Sequence, residues 1–232
     1  MSEGKNVVKV CGATTSSEVV AIAQGGGTHV GLWWHLAGAE HELTSKEMGG
    51  LARQARSEGL IPVLVTFSAD PSEIAKVAST ADIDWIQLHA FQGPLVVSAL
   101  RDMLGDSAVI IKALHVNPDG TSPDLRFAAA HRRAGANMFL LDAMQHDRVG
   151  STGEALKPAT INAAVFQADH PFLLAGGLDG KPSPEQLQVR TLSLFRGIDV
   201  DSGARGSDGT ICSDRVSDLV AAWTMTDPAA VS

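Results

Sequence analysis

The chemistry of this chain starts from a cysteine and an aspartate that close two strand-like apolar runs. Cys11 ends the run VVKVC, and Asp142 ends MFLLD. A thiolate can take a proton from carbon while a carboxylic acid protonates an oxygen. Lys9 precedes Cys11 by two residues and can favour the thiolate, since a free thiol has a pKa of about 8.5. The pair indicates proton transfer, of the kind that suits a sugar phosphate.

Other polar side chains stand at the ends of apolar runs. Gln87 and His89 close WIQLH, where they either contact substrate hydroxyls or form polar packing at the mouth of the fold. Asp199 lies in FRGIDV, just before a small-residue turn, and its position favours a structural brace over a catalytic role. Asp142 has an alternative role as a loop-bracing or helix-capping carboxylate.

Two small-residue turns predict a phosphate site. Gly176-Gly177 follows the run FLLA, and Ser202-Gly203 follows FRGIDVD. Without bulky side chains, the backbone N–H groups of such turns can converge on an anion. Two parallel strands joined by the helical segment between them would place both turns side by side. The alternative is that these glycines only make tight turns.

The elements that must position these residues alternate regularly along the chain. Apolar runs of strand length are followed eight times by segments with helical periodicity, and the connections are short. Continuous apolar strands indicate burial on both faces, as in a parallel sheet covered by helices. Eight such pairs in 232 residues predict a (β/α)₈ TIM barrel, whose active site lies at the carboxyl ends of its strands. Expected helix starts are Thr15-Ser16, Thr44-Ser45, Asp70-Pro71 and Ser122-Pro123.

Composition limits the remaining possibilities. No linker interrupts residues 1–232, so we expect a single domain, with the barrel proper at about 7–224. The absence of a long apolar run excludes a membrane span. Two distant cysteines and the lack of a signal-like start favour a reduced, cytoplasmic protein. The net charge of −8 argues against nucleic acid as a partner. With no dinucleotide fingerprint, P-loop or metal-ligand spacing, we expect no cofactor and no metal.

Five motifs in order resemble the phosphoribosylanthranilate isomerase family. The first two are KVCG, which begins at Lys9, and QLH, which begins at Gln87. The third is LLDA at Leu140 followed by GSTG at Gly150. The last two are LAGGL, which begins at Leu174, and GIDVDSG, which begins at Gly197. The resemblance spans about residues 7–223. It implies a cofactor-free (β/α)₈ barrel that performs an Amadori rearrangement. Cys11 would be the general base that takes the C2′ proton, and Asp142 the general acid at the ring oxygen. The phosphate would lie on Gly153, Gly176, Gly177, Ser202 and Gly203.

One loop departs from the family pattern. The family carries Ser-Pro-Arg after strand 2, where the arginine pairs with the anthranilate carboxylate, whereas residues 35–42 here read HLAGAEHE. Trp33, Trp34 and His35 then form a rebuilt wall for the non-sugar half of the substrate, although one of the adjacent tryptophans can instead fill the barrel. Arg205 or Arg148 could fill one of two roles. Either arginine could offset the negative charge of Asp201, or it could bind the anionic group that the family's arginine binds. The predicted substrate contacts are Lys9, Trp34, His35, Gln87, His89 and Arg205.

Three functions are compatible with this pattern. The first is an isomerase acting on an N-(5-phosphoribosyl) aromatic amine, as a monomer or homodimer. The second is a repurposed barrel, in which the same acid and base serve a lyase or cyclisation reaction of specialised metabolism. The third is a non-catalytic barrel that binds a phosphorylated ligand at its mouth. The presence of both Cys11 and Asp142 favours catalysis, and the resemblance favours the isomerase.

Overall fold

Eight parallel strands close into a barrel in chain order. The computed structural model describes residues 7–36, 41–143 and 156–224. Each strand pairs with its neighbours in sequence, and the eighth pairs with the first. The strands are β1 Val7–Cys11, β2 His29–Trp34, β3 Ile61–Thr66, β4 Trp85–Leu88, β5 Val109–Val116, β6 Met138–Ala143, β7 Phe172–Leu174 and β8 Phe195–Val200. This topology confirms the predicted TIM barrel.

Helices follow the strands and cover the outside of the barrel. They are α1 Ser16–Gln24, α2 Ser45–Ser57, α3 Pro71–Ala81, α4 Pro94–Leu104, α5 Ala128–Arg133, α6 Pro158–Ala168, α7 Pro184–Leu187 and α8 Ser213–Trp223. Within the described ranges, no helix is long and apolar enough to cross a membrane.

Side-chain capping explains where several helices begin. Thr15, Thr44 and Asp70 cap α1, α2 and α3 as predicted, and Thr44 forms a reciprocal capping box with Glu47. Ser122 accepts from the N–H groups of Asp124 and Leu125, ahead of a 3-10 turn that leads into α5. These caps satisfy N–H groups that have no acceptor within their own helix.

The seventh helical segment is shorter than its sequence predicts. Residues 184–194 read as one helix, but α7 ends at Leu187 and a 3-10 turn covers Gln188–Thr191. The β-branched Val189 and Thr191 lower helix propensity, which accounts for the early end.

Alternation along the strands sorts their side chains into two layers. One set fills the barrel interior and includes Val65, Ile111, Ala113 and Leu140. The other set packs between the sheet and the helices in a larger core. Because successive side chains point to opposite faces, this parity decides which strand-end residues face the mouth of the barrel.

The turns that follow β7 and β8 lie against each other. Gly176 and Gly177 adopt positive φ angles of 87° and 63°, which favour glycine. A Cβ atom added to Gly203, after β8, would overlap the carbonyl oxygen of Leu178, after β7. The sequence expectation that both turns sit side by side is therefore confirmed.

We predict that Gly203→Ala lowers the free energy of unfolding by about 1 to 3 kcal/mol, because the new methyl group would force two backbone segments apart. Gly50→Ala is the matched control, since a Cβ at this position in α2 meets nothing within 4 Å. The control should gain about 0.5 to 1 kcal/mol. Urea denaturation measures both, and equal stability of the two variants would refute the packing argument.

Candidate active site

A buried ion pair closes the barrel interior between β1 and β8. Lys9 and Asp199 are directly opposite in the register of these strands, and Lys9 Nζ donates to both carboxylate oxygens at 2.8 Å. Lys9 is fully buried and also lies 2.6 Å from the Sγ atom of Cys11. Gly31 on β2 makes room for this group, because a Cβ atom there would overlap Cys11 Sγ. Asp199 is thus a brace, and Lys9 contacts the thiol directly.

The protonation of this cluster follows from its burial. Burial raises the pKa of the Cys11 thiol to about 12, and the Asp199 carboxylate adds to the rise, while Lys9 opposes it. Burial acts to lower the pKa of Lys9, but Asp199 and Cys11 outweigh it and the net shift is upward. At neutral pH the free site therefore holds a thiol beside an ammonium group.

Asp142 lies at the end of β6, beside residues from β4. His89 Nε2 is 3.5 Å from Asp142 Oδ2, and the Gln87 amide Nε2 lies 3.1 Å from His89 Nδ1. The same amide nitrogen donates to Asp199 at 3.3 Å, so Gln87 connects the two carboxylates. The structure therefore brings Lys9, Cys11, Gln87 and Asp142 into one network, together with His89.

The environment of Asp142 favours its acid form. Burial raises the pKa of Asp142 to about 6, although the nearby His115 works against the rise. Burial, followed by the charges of His115 and Lys9, lowers the pKa of His89 well below its usual value. A carboxylic acid whose pKa is raised in this way can donate a proton near neutral pH.

Of the three residues predicted to form a wall at the mouth, only Trp33 packs into the barrel interior. Trp33 packs into the barrel interior, whereas Trp34 packs outward under the helices, so Trp34 was the wrong member of the pair. His35 is exposed and contacts the edge of Trp34, away from the site. His41 instead lies 5.5 Å from the Trp33 ring. The Trp33 indole N–H lies near Cys11 and acts to lower the pKa of that thiol.

Arg205 is committed to the protein rather than to a substrate. Its Nε donates to Asp201 at 2.7 Å, so it offsets that carboxylate as predicted. Its other nitrogens donate to Glu18 on α1 and to the carbonyl oxygens of Gly209, Gly12 and Cys11. All of its nitrogens are therefore engaged, and the predicted role as a relocated anion contact is not supported.

The turns after β7 and β8 contain backbone N–H groups without an acceptor in the described part of the chain. Gly177, Ser202 and Gly203 donate no backbone hydrogen bond to the part of the chain that the structure describes. Their N–H groups are thus available to an anion, as the turn chemistry suggested. Gly153 and Arg148 lie outside the described residues.

The predicted substrate contacts did not include Trp33, His41 or His115. The fully buried His115 ends the inward-facing series Ile111, Ala113 and His115 on β5. His115 lies two residues after Ala113 and four after Ile111, so alternation along the strand could have predicted that it faces the barrel interior. His41 carried no such signal because it lies in a loop.

A family model described as N-(5′-phosphoribosyl)anthranilate (PRA) isomerase matches residues 8–221 of this chain. A curated isomerase of that name from Rhodopseudomonas palustris is 28% identical over 220 residues, which cover 93% of this chain and 97% of the relative. The Brucella canis enzyme is 28% identical over 205 residues, covering 87% of this chain and 86% of its own.

Solved structures of the same kind share the fold. The phosphoribosyl anthranilate isomerases of Thermus thermophilus and Thermotoga maritima each superpose with a TM-score of 0.73, at 22% and 20% identity. Each match covers 93% of this chain, and 96% and 97% of the respective relative. Another solved isomerase is in complex with reduced 1-(o-carboxyphenylamino)-1-deoxyribulose 5-phosphate. The match of the family model across nearly the whole barrel shows that this chain belongs to the N-(5′-phosphoribosyl)anthranilate isomerase family.

Proposed function

We propose that this protein catalyses the Amadori rearrangement of N-(5′-phosphoribosyl)anthranilate, within tryptophan biosynthesis. The observation that carries the proposal is the buried network in which Cys11 contacts Lys9 while Asp142 has its pKa raised to about 6. A base and an acid of these types, on β1 and β6 of a closed barrel, fit an isomerisation without a cofactor. No observation favours a lyase, a cyclase or a purely binding role.

The reaction divides between the two residues. Asp142 delivers its proton to the ribose ring oxygen, so that the ring opens and a Schiff base forms. Cys11 then removes the C2′ proton, and the resulting enolamine tautomerises to the 1-deoxy-ketose. Because Cys11 is a thiol in the free protein, it must first lose its proton to solvent, which leaves a thiolate beside the Lys9 ammonium group.

We propose that the two ends of the substrate bind on different elements. The phosphate accepts from the free N–H groups of Gly177, Ser202 and Gly203. The aromatic amine lies toward Trp33 and His41, whose rings are 5.5 Å apart.

The remaining expectations concern the whole molecule. We propose a single domain over residues 1–232 that acts in the cytoplasm on a phosphorylated small molecule, without nucleic acid. A Thermotoga maritima relative is described as dimeric, and for this chain we propose a monomer or homodimer.

The first test is turnover itself. The purified protein should consume phosphoribosyl anthranilate generated in the cuvette, as shown by loss of the substrate's fluorescence. Cys11→Ala and Asp142→Ala should each lower kcat/KM by about 100-fold or more, because each removes an acid or base. Cys212→Ala is the matched control, since Cys212 is half-buried and outside the network, and it should keep full activity. Absence of turnover in the unaltered protein would refute the proposal.

The second prediction concerns the Cys11 thiol. In a Cys212→Ser background, Asp199→Asn should lower the pKa of Cys11, because the substitution removes a negative charge and leaves the Lys9 ammonium to stabilise the thiolate. The pH dependence of iodoacetamide alkylation measures this shift, and circular dichroism checks that the variant is folded. An unchanged or raised midpoint in the folded variant would contradict the electrostatic account.

The third prediction concerns Asp142 and stability. Below about pH 4 the Asp142 carboxyl is protonated in both the folded and the unfolded chain. Between about pH 4 and pH 6 only the folded chain keeps this proton, so the free energy of unfolding falls as the pH rises. The Asp142→Asn variant has no carboxyl at this position and does not lose this stability. Its stability relative to the unaltered chain should therefore increase by about 2 to 3 kcal/mol between pH 4 and pH 7.5. Urea denaturation at the two pH values measures the change, and a constant difference would show that the pKa is not raised.

A further inference from the structure

Three metal-binding side chains converge where β4, β5 and β6 end. One ligand atom from each of His89, His115 and Asp142 can be chosen so that all lie within 4.8 Å of one another. His115 is fully buried, Asp142 is nearly so, and the His89 side chain is 15% exposed. The separation of 3.5 Å between His89 Nε2 and Asp142 Oδ2 is close to the edge of a zinc tetrahedron, which is about 3.3 Å for ligands at 2.0 to 2.1 Å.

His115 is oriented as metal-binding histidines commonly are. Its Nδ1 lies 2.8 Å from Asp124 Oδ2, and that carboxylate also accepts from the backbone N–H of His115. A proton on Nδ1 facing Asp124 leaves a lone pair on Nε2. That Nε2 is buried and has no hydrogen-bond partner among the described residues. A carboxylate behind an imidazole fixes the tautomer and raises its basicity, which strengthens a metal bond.

A second buried atom without a partner supports the same site. The Gln87 Oε1 atom accepts no hydrogen bond within the described ranges, while Gln87 Nε2 faces His89 Nδ1. Rotation of this amide would bring Oε1 to His89 Nδ1 and let it accept a proton there, which frees His89 Nε2 to bind a cation. Asp199 would lose its 3.3 Å contact with Gln87 but keep both bonds from Lys9.

Two phenylalanine rings border the histidines of this cluster. The Phe67 ring stacks on His89 at 5.7 Å, and the Phe91 ring lies 5.0 Å from His115. Both phenylalanines are partly exposed at the mouth. The nearest lysine on β5, Lys112, donates to the carbonyl oxygens of Ala90 and Ala113, so its ammonium group is held by the backbone.

We propose that His89, His115 and Asp142 bind a divalent transition-metal ion of the zinc class, with an open fourth position. Two imidazoles and one carboxylate are the donor set that zinc accepts when it keeps such a position. A metal held there would occupy the carboxylate of Asp142, so the metal-bound protein could not use Asp142 as a proton donor. Metal binding and isomerisation would therefore exclude each other at one shared residue.

The test measures zinc binding without substrate, so its outcome does not depend on the isomerase activity. Equilibrium dialysis of the full chain, first stripped with a chelator, should find one Zn²⁺ per chain at micromolar concentrations. His115→Asn keeps an N–H donor toward Asp124 but removes the ligand nitrogen, and should weaken zinc binding by about 100-fold or more. His131→Asn is the matched control, because it also replaces a buried histidine with an unpartnered nitrogen and should bind like the unaltered protein.

Two further measurements separate this site from others. Asp124→Asn should weaken zinc binding by about 10- to 100-fold, because it removes the carboxylate behind His115. Co²⁺ in place of zinc should give visible d–d bands without a thiolate charge-transfer band. A strong thiolate band would assign the ion to a cysteine, and binding unchanged in His115→Asn, or no binding at all, would likewise overturn the proposal.

Discussion

The active end of this barrel depends on the buried ion pair between Lys9 and Asp199. Taking two charges out of water is costly, and their attraction compensates only when the geometry is good. Here both carboxylate oxygens accept from one ammonium group at 2.8 Å, on the two strands that close the barrel. The same pair sets the field felt by Cys11, whose thiol lies beside the ammonium and near the carboxylate. The contact that closes the barrel therefore also acts on the pKa of Cys11.

Asp142 experiences a different balance. It has no buried cation in direct contact within the described residues; its near neighbours are the imidazoles of His89 and His115. Burial therefore dominates and keeps the carboxyl protonated to a higher pH than usual. Burial is the largest cause of the raised pKa at both Cys11 and Asp142, and the Lys9 ammonium group opposes the rise most strongly at Cys11, which it contacts.

The sequence was sufficient for the barrel and for the position of most strand-end residues, because alternating strands and helices leave few other topologies. It could not decide which of Trp33 and Trp34 faces inward, since both are bulky and apolar and parity depends on the register with β1 and β3. Lys112 is a polar residue within β5 that shares the outward parity of Leu114. The hydrogen bond between Arg205 and Glu18 could not be predicted from the sequence, because the two residues lie 187 positions apart in the chain.

The contacts of Arg205 join the first and last strand–helix units across the seam of the barrel. Its guanidinium connects the end of β1, helix α1 and the turn after β8. That turn carries Ser202 and Gly203, so their N–H groups are held in place before any anion arrives. A preorganised turn would lose little conformational entropy on binding a phosphate, so in the proposed reaction more of the contact energy would remain to hold the sugar near Cys11 and Asp142.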